Sequence, residues 1–120
     1  MEPRDDGTMR QYSSGATRSS GKGKPSYCSY TSVLATRRYG QYMLEHETQA
    51  DGEKRPPDNW KSGLEIKDTK ESMGRHWEHV KTILDGHTAI DDHGKEVDIE
   101  DALCAMMFNV TSMLHEVLKK

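Results

Sequence analysis

From Ile99 to Val117 large apolar residues recur at steps of four, three, four, three and four: Ile99, Leu103, Met106, Val110, Met113 and Val117. This is the period of one face of an α-helix, sustained for more than five turns. A helix that long has to cover its stripe with something, so it fixes the chain as helical. Asp98 stands just before the run, where its side chain can accept from the amide of Asp101 or its neighbour. The spacing therefore predicts a helix that starts after Asp98 and ends near Leu118.

Two further helices are expected to pack with it. Asp68 and Glu71 have capping-box spacing, with Asp in place of Ser or Thr, and Met73, Trp77, Val80 and Leu84 then form a stripe that ends at Gly86. Between Ser32 and about Glu47 the residues Ala35, Tyr39, Tyr42, Met43 and His46 also fall at helical spacing. The run QADGEKRPPDN between them has the Gly, Pro and charge of a loop and leads to Asn59 and Trp60. A second polar segment, HTAIDDHGKEV, offers a turn at Gly94. No strand pattern competes with these helices. Residues 1–25 are Gly, Ser, Thr, Arg, Lys and Asp with almost no large apolar side chain, so they cannot offset their ordering entropy and are expected to be a disordered arm. The predicted fold is all-α: a small bundle of three main helices over residues 26–120, preceded by that arm.

The chain has 120 residues, 32% apolar and 31% charged, which leaves room for one modest core. Self-association would help it. A net charge of −3, with both signs scattered, provides no basic face for a duplex backbone. Cys28 and Cys104 are too few and too far apart for a disulfide framework or a structural zinc site. No segment has the length and apolarity of a membrane span or signal peptide. The expectation is a cytoplasmic protein with no membrane or duplex partner.

On the third helix Asp98, Asp101, Ala105, Asn109, Ser112 and Glu116 lie along one flank of the apolar stripe. One reading is a solvated face, with Asp98 as N-cap and Asp101 complementing the helix dipole. The other is a magnesium site, since two carboxylates one turn apart suit a hard cation that prefers oxygen ligands and keeps its waters. On the second helix Arg75, His76 and His79 edge the same core. Histidines so placed are either packing residues or ligands, and His79 approaches Asp98 if the two helices run antiparallel. Asn59, Trp60, Lys61 and Gly63 join an amide, a flat ring, a cation and a hinge in one loop. Trp60 is either a lid over the core or a stacking platform for a base, with Lys61 near phosphate.

Read together, YSSGATR at Tyr12 to Arg18, GKPSY ending at Tyr27, RRYGQYM at Arg37 to Met43, DNWKSG at Asp58 to Gly63, GRHWEH at Gly74 to His79 and EDALCAMMFN at Glu100 to Asn109 resemble one family. It is the phage and prophage dATP/dGTP diphosphohydrolase family, N-terminal domain, and the likeness covers nearly the whole chain in order. The resemblance implies a helical fold similar to MazG-type nucleoside triphosphate pyrophosphohydrolases, which use Mg²⁺ held by helix-borne acids to release pyrophosphate. It points to Asn59 and Trp60, to Arg75 and His76, and to the acids and Asn109 of the third helix. Joined to the reading of the residues above, the expected site has His76, His79 and Arg75 as catalytic residues, Asn59, Trp60, Lys61, Arg75 and Asn109 for a purine (deoxy)nucleotide, and Asp98, Asp101 and His79 for the metal. The chain departs from the ExxE and ExxD pairs of MazG-type sites: its helices offer RHWEH and Asp98-Ile99-Glu100-Asp101 instead.

Three functions follow. The first is a Mg²⁺-dependent (deoxy)nucleoside triphosphate diphosphohydrolase of phage nucleotide metabolism, and the second a non-catalytic phage protein that sequesters a nucleotide or host signalling nucleotide. The third is a small interaction protein whose acids and histidines are only caps and surface. Phe108 projects away from Ile99 and Val117, beside Cys104, Thr111 and His115, and with Met107 and Leu114 forms a second apolar ridge. That ridge predicts a homo-oligomer packed through the third helix; its rival is cover from the first helix of the same chain.

Overall fold

The computed structural model describes residues 9–49, 51–57, 59 and 63–119. It has two compact units, Met1–Ala35 and Thr36–Lys120.

In the first unit β1 (Met9–Gln11) and β2 (Thr17–Ser19) form an antiparallel pair with Arg10 opposite Arg18. A four-residue helix, α1 (Tyr27–Tyr30), follows. The sequence reading expected no strand and an arm without structure up to residue 25, and this hairpin corrects both. Its turn is closed by bonds from the Gly15 amide to the Tyr12 carbonyl (2.9 Å) and from the Tyr12 amide to the Ala16 carbonyl (2.8 Å), with Gly15 at φ 87°. Left-handed backbone suits glycine, so a local turn supplies what an apolar face does not.

The second unit is helical. Helix α2 (Val33–Glu45) begins in the first unit and runs into this one, and α3 (Ile66–Leu84) and α4 (Ile99–Leu118) follow. Asp98 is the N-cap of α4, accepting at Oδ1 from the amides of Glu100 (2.7 Å) and Asp101 (3.3 Å), as its position in the sequence requires. Helix α3 opens two residues before Asp68. Glu65 has extended backbone, and the Thr69 amide and hydroxyl both reach the Glu65 carbonyl at 3.0 Å. Asp68 is thus a first-turn acid inside the helix, stabilising its positive end, and not the cap.

Helices α3 and α4 pack against one another, and the side of α4 that is buried differs in part from the expectation. Ala102, Cys104, Ala105, Asn109 and Ser112 are buried; of the expected stripe Ile99, Met106 and Met113 are half-buried and Leu103, Val110 and Val117 are 45, 49 and 56% exposed, while Met107 and Leu114 of the second ridge are 38 and 55% exposed. Small side chains let two helices approach closely, and the polar ones are satisfied inside: Asn109 donates to Ser72 Oγ (3.4 Å) and Ser112 to the Phe108 carbonyl (2.8 Å). On α3 Val80 is buried and Met73 half-buried, but Trp77 and Leu84 of the same expected stripe are exposed. Lys81 Nζ lies 5.8 Å from the centre of the Trp77 ring.

Helix α2 makes no close backbone approach to α3 or α4. It meets α4 through side chains, chiefly Arg38, whose Nε donates to Glu100 Oε1 and Nη2 to Asp101 Oδ1, both at 2.7 Å. The space left by this stand-off becomes two cavities.

Candidate functional site

The first cavity, about 390 Å³, is polar. Tyr42 and His46 wall it from α2 and its end, His76 and His79 from α3, and Asp98, Asp101, Ala102 and Ala105 from the start of α4. Asp91, Lys95 and Glu96 enter from the connecting segment. That segment is a tight turn closed by a bridge between Ile90 and Glu96, with Gly94 at φ 78°. Asp91 Oδ1 accepts from the amides of His93 (2.8 Å) and Lys95 (2.9 Å), and these bonds hold its carboxyl below the usual range.

The antiparallel run of α3 and α4 is what brings the histidines of one to the aspartates of the other. His76, His79, Asp98 and Asp101, all anticipated from spacing, share this cavity. The His76 and His79 rings meet edge to face, 6.3 Å between centres. Burial lowers the affinity of His76 for a proton, and His79 and Arg75 nearby lower it further, so the ring is neutral at pH 7 and able to accept a proton. Tyr42 is shifted the other way, burial holding its hydroxyl protonated with Asp101 adding to the effect.

Each aspartate has one oxygen committed. The cap bonds of Asp98 both fall on Oδ1, and the ion pair of Asp101 also uses Oδ1, so Oδ2 of each accepts no hydrogen bond among the described residues. No three His, Cys, Asp or Glu side chains among the described residues are grouped closely enough to enclose a metal ion. Mg²⁺ seldom asks for that. It is held by one or two carboxylates and completes its shell with water and phosphate oxygens. The donor set of this cavity, oxygen-rich and carboxylate-lined, fits such an ion.

Other expected site residues lie elsewhere. Asn109 is buried between α3 and α4 with Ser72 as its partner, a packing role that removes it from a ligand. Arg75 is exposed and lines neither cavity. Trp60 and Lys61 lie outside the described residues. Asn59 lines the second cavity, about 330 Å³ and mostly apolar, formed by the end of α2, the Arg55-Pro56-Pro57 loop and Phe108. Phe108 is half-buried and lines this cavity together with residues of α2, and Cys104, on the same side of α4, is buried, which raises its thiol.

Arg38, which periodicity did not single out, is the residue that bonds Asp101 of the polar cavity. Its guanidinium is held more firmly protonated by its bonds to Asp101 and Glu100. Only the RRYGQYM block singled out its neighbourhood. Asp91 and Glu96 were legible as turn residues but not as cavity walls. No protein-family model, curated protein or solved structure matches the chain. No helix among the described residues is long and apolar enough to cross a membrane.

Proposed function

We propose that the second unit is a Mg²⁺-dependent (deoxy)nucleoside triphosphate diphosphohydrolase, acting on a purine (deoxy)nucleotide to release pyrophosphate. The observation that carries this reading is the meeting of two α3 histidines and two α4 aspartates in one polar cavity. Asp98 and Asp101, each with an oxygen to spare, would hold the metal, with His79 beside them. Bound there, Mg²⁺ supplies charge neutralisation at the phosphates and a more acidic water. His76, neutral because it is buried, accepts the proton of the attacking water as the bond to phosphorus forms and the pyrophosphate leaves. Lys95, on the cavity wall, offsets phosphate charge in the place foreseen for Arg75 and Lys61.

The test is turnover of each deoxynucleoside triphosphate by purified protein with Mg²⁺, followed by chromatography for monophosphate and pyrophosphate. Asp101→Asn and His76→Gln should abolish it. Activity equal in wild type and both variants would refute the assignment.

A second reading has an observation of its own. Asp101 is already paired with Arg38, and no three-ligand group encloses a metal among the described residues. Both favour a protein that sequesters a nucleotide without cleaving it. Recovery of intact triphosphate from a tight complex after prolonged incubation with Mg²⁺ would favour that reading over hydrolysis.

The partner proposed for the exposed stripe of α4 is a second copy. Leu103, Met107, Val110, Leu114 and Val117 follow the four-three heptad spacing of a helix–helix seam, and they face outward. Among the described residues the buried apolar set is Val80, Ala89, Ala102, Cys104 and Ala105. A core that small gains most by covering the stripe with itself.

A further inference from the structure

The apolar cavity has no role in the chemistry above, yet its lining suits an organic ring. Tyr42, Met43, Pro56, Pro57 and Phe108 give it apolar and aromatic walls, and Glu47 and Asn59 set a carboxylate and an amide on its edge. The walls are held in place. Arg55 donates its amide to the Glu47 carbonyl, 2.6 Å, Thr48 bridges to Lys54, and the Asn59 amide reaches the Pro56 carbonyl at 3.0 Å. Two prolines then fix the backbone of the lip.

Its volume, about 330 Å³, is near the lower end of the roughly 300 to 1,000 Å³ of ligand pockets. It takes one flat ring system and not a whole nucleotide. Tyr42 and His46 line both cavities, their rings stacked at 4.0 Å between centres and 27° between planes. The partition between apolar and polar space is therefore a single pair of rings. A molecule with an apolar ring at one end and an anionic chain at the other spans it.

We infer that the cavity between the end of α2, the proline loop and Phe108 binds the heteroaromatic base of the ligand, with Asn59 and Glu47 reading its polar edge. The inference rests on the nucleotide reading of the polar cavity, where the phosphates would lie. Stacking against Tyr42 and Phe108 suits every base, so selectivity falls to the amide and the carboxylate, which offer a donor and acceptors to its polar edge.

Two half-ligands separate the cavities: 2′-deoxyadenosine, with a base and no phosphate, and tripolyphosphate with Mg²⁺, with phosphates and no base. Gly40 lines the apolar cavity from α2, and nothing lies within 4 Å of a Cβ built on it. Gly40→Leu fills that space, and leucine favours a helix more than glycine does, so the variant folds. In titrations followed by NMR, Gly40→Leu should weaken deoxyadenosine by roughly tenfold or more, the scale of a lost stacking contact, and leave tripolyphosphate unchanged. Asp101→Asn should do the reverse. Equal deoxyadenosine affinity in wild type and Gly40→Leu overturns the inference. Wild type that binds tripolyphosphate and not deoxyadenosine overturns it too, while sparing the polar site; the opposite pattern, lost in Gly40→Leu, supports the ring site and sinks the phosphate site. Binding of neither overturns both.

Discussion

Arg38 Nη2 lies 2.7 Å from Asp101 Oδ1, and this bond joins α2 to the first turn of α4. Because α2 has no close backbone contact with α3 or α4, this tie and its companion to Glu100 are side-chain links that hold α2 to α4. Both acids are partly exposed, so the pairing is screened by salt. Arg38→Ala is expected to speed amide exchange in α2 while leaving α3 and α4 protected, and added salt should mimic it in wild type. Uniform exchange changes across all three helices would contradict this role.

Asp98 has two functions that one atom separates. The cap needs an acceptor at Oδ1; a ligand needs charge. Asp98→Asn should keep the cap and the melting temperature but lose Mg²⁺-dependent turnover. Asp98→Ala should lose turnover and, in addition, about 1 kcal/mol of stability, the usual worth of an N-cap. Chemical denaturation beside the activity assay reads both, and an active Asp98→Asn would return the residue to a purely structural role.

His76 makes stability depend on pH. Its folded affinity for protons lies below the ordinary histidine value of 6.5, chiefly because it is buried. The unfolded chain therefore takes up the proton first on acidification. Stability should be at its full value above pH 6.5 and fall as the pH drops from there toward the folded value. His76→Gln should flatten that slope in urea melts at stepped pH, and an NMR titration of His76 with a midpoint above 6.5 would contradict the assignment.

The outward face of α4 predicts the state of assembly. Val110→Glu, at the centre of the exposed stripe, should leave the circular dichroism unchanged and convert a dimer to a monomer by light scattering. Phe108→Glu, by contrast, meets a half-buried position on the wall of the apolar cavity and should destabilise the fold itself. A monomeric wild type refutes the seam.

Comparison of Asp98 with Asp68 marks how far a sequence can be read. Asp98 caps α4 as its position requires, because capping is settled within three residues of chain. Asp68 has the same signature, yet the helix starts earlier, at Ile66, because Glu65 takes the extended turn and its carbonyl accepts the first bond. The hairpin at Met9–Gln11 and Thr17–Ser19 left no apolar alternation to detect; its sole local signal was the glycine of the turn.

The sequence by itself determined the helices of the second unit, the end of α4, and the placing of His76, His79, Asp98 and Asp101 at the edge of one interface. Periodicity and caps act over about one turn, so they survive without knowledge of the rest. Only the tertiary structure decided which side of α4 is inside. Hydrophobic pattern names the larger stripe, but burial goes to the face whose shape matches the partner, and Ala102, Ala105 and Ser112 allow α3 an approach that Leu103 and Val110 would block. The same packing gave Asn109 to Ser72, put Phe108 and the end of α2 on one cavity and brought Arg38 to Asp101 across 63 positions of sequence. Such pairings depend on where a second element lies in space, and no spacing along one helix encodes them.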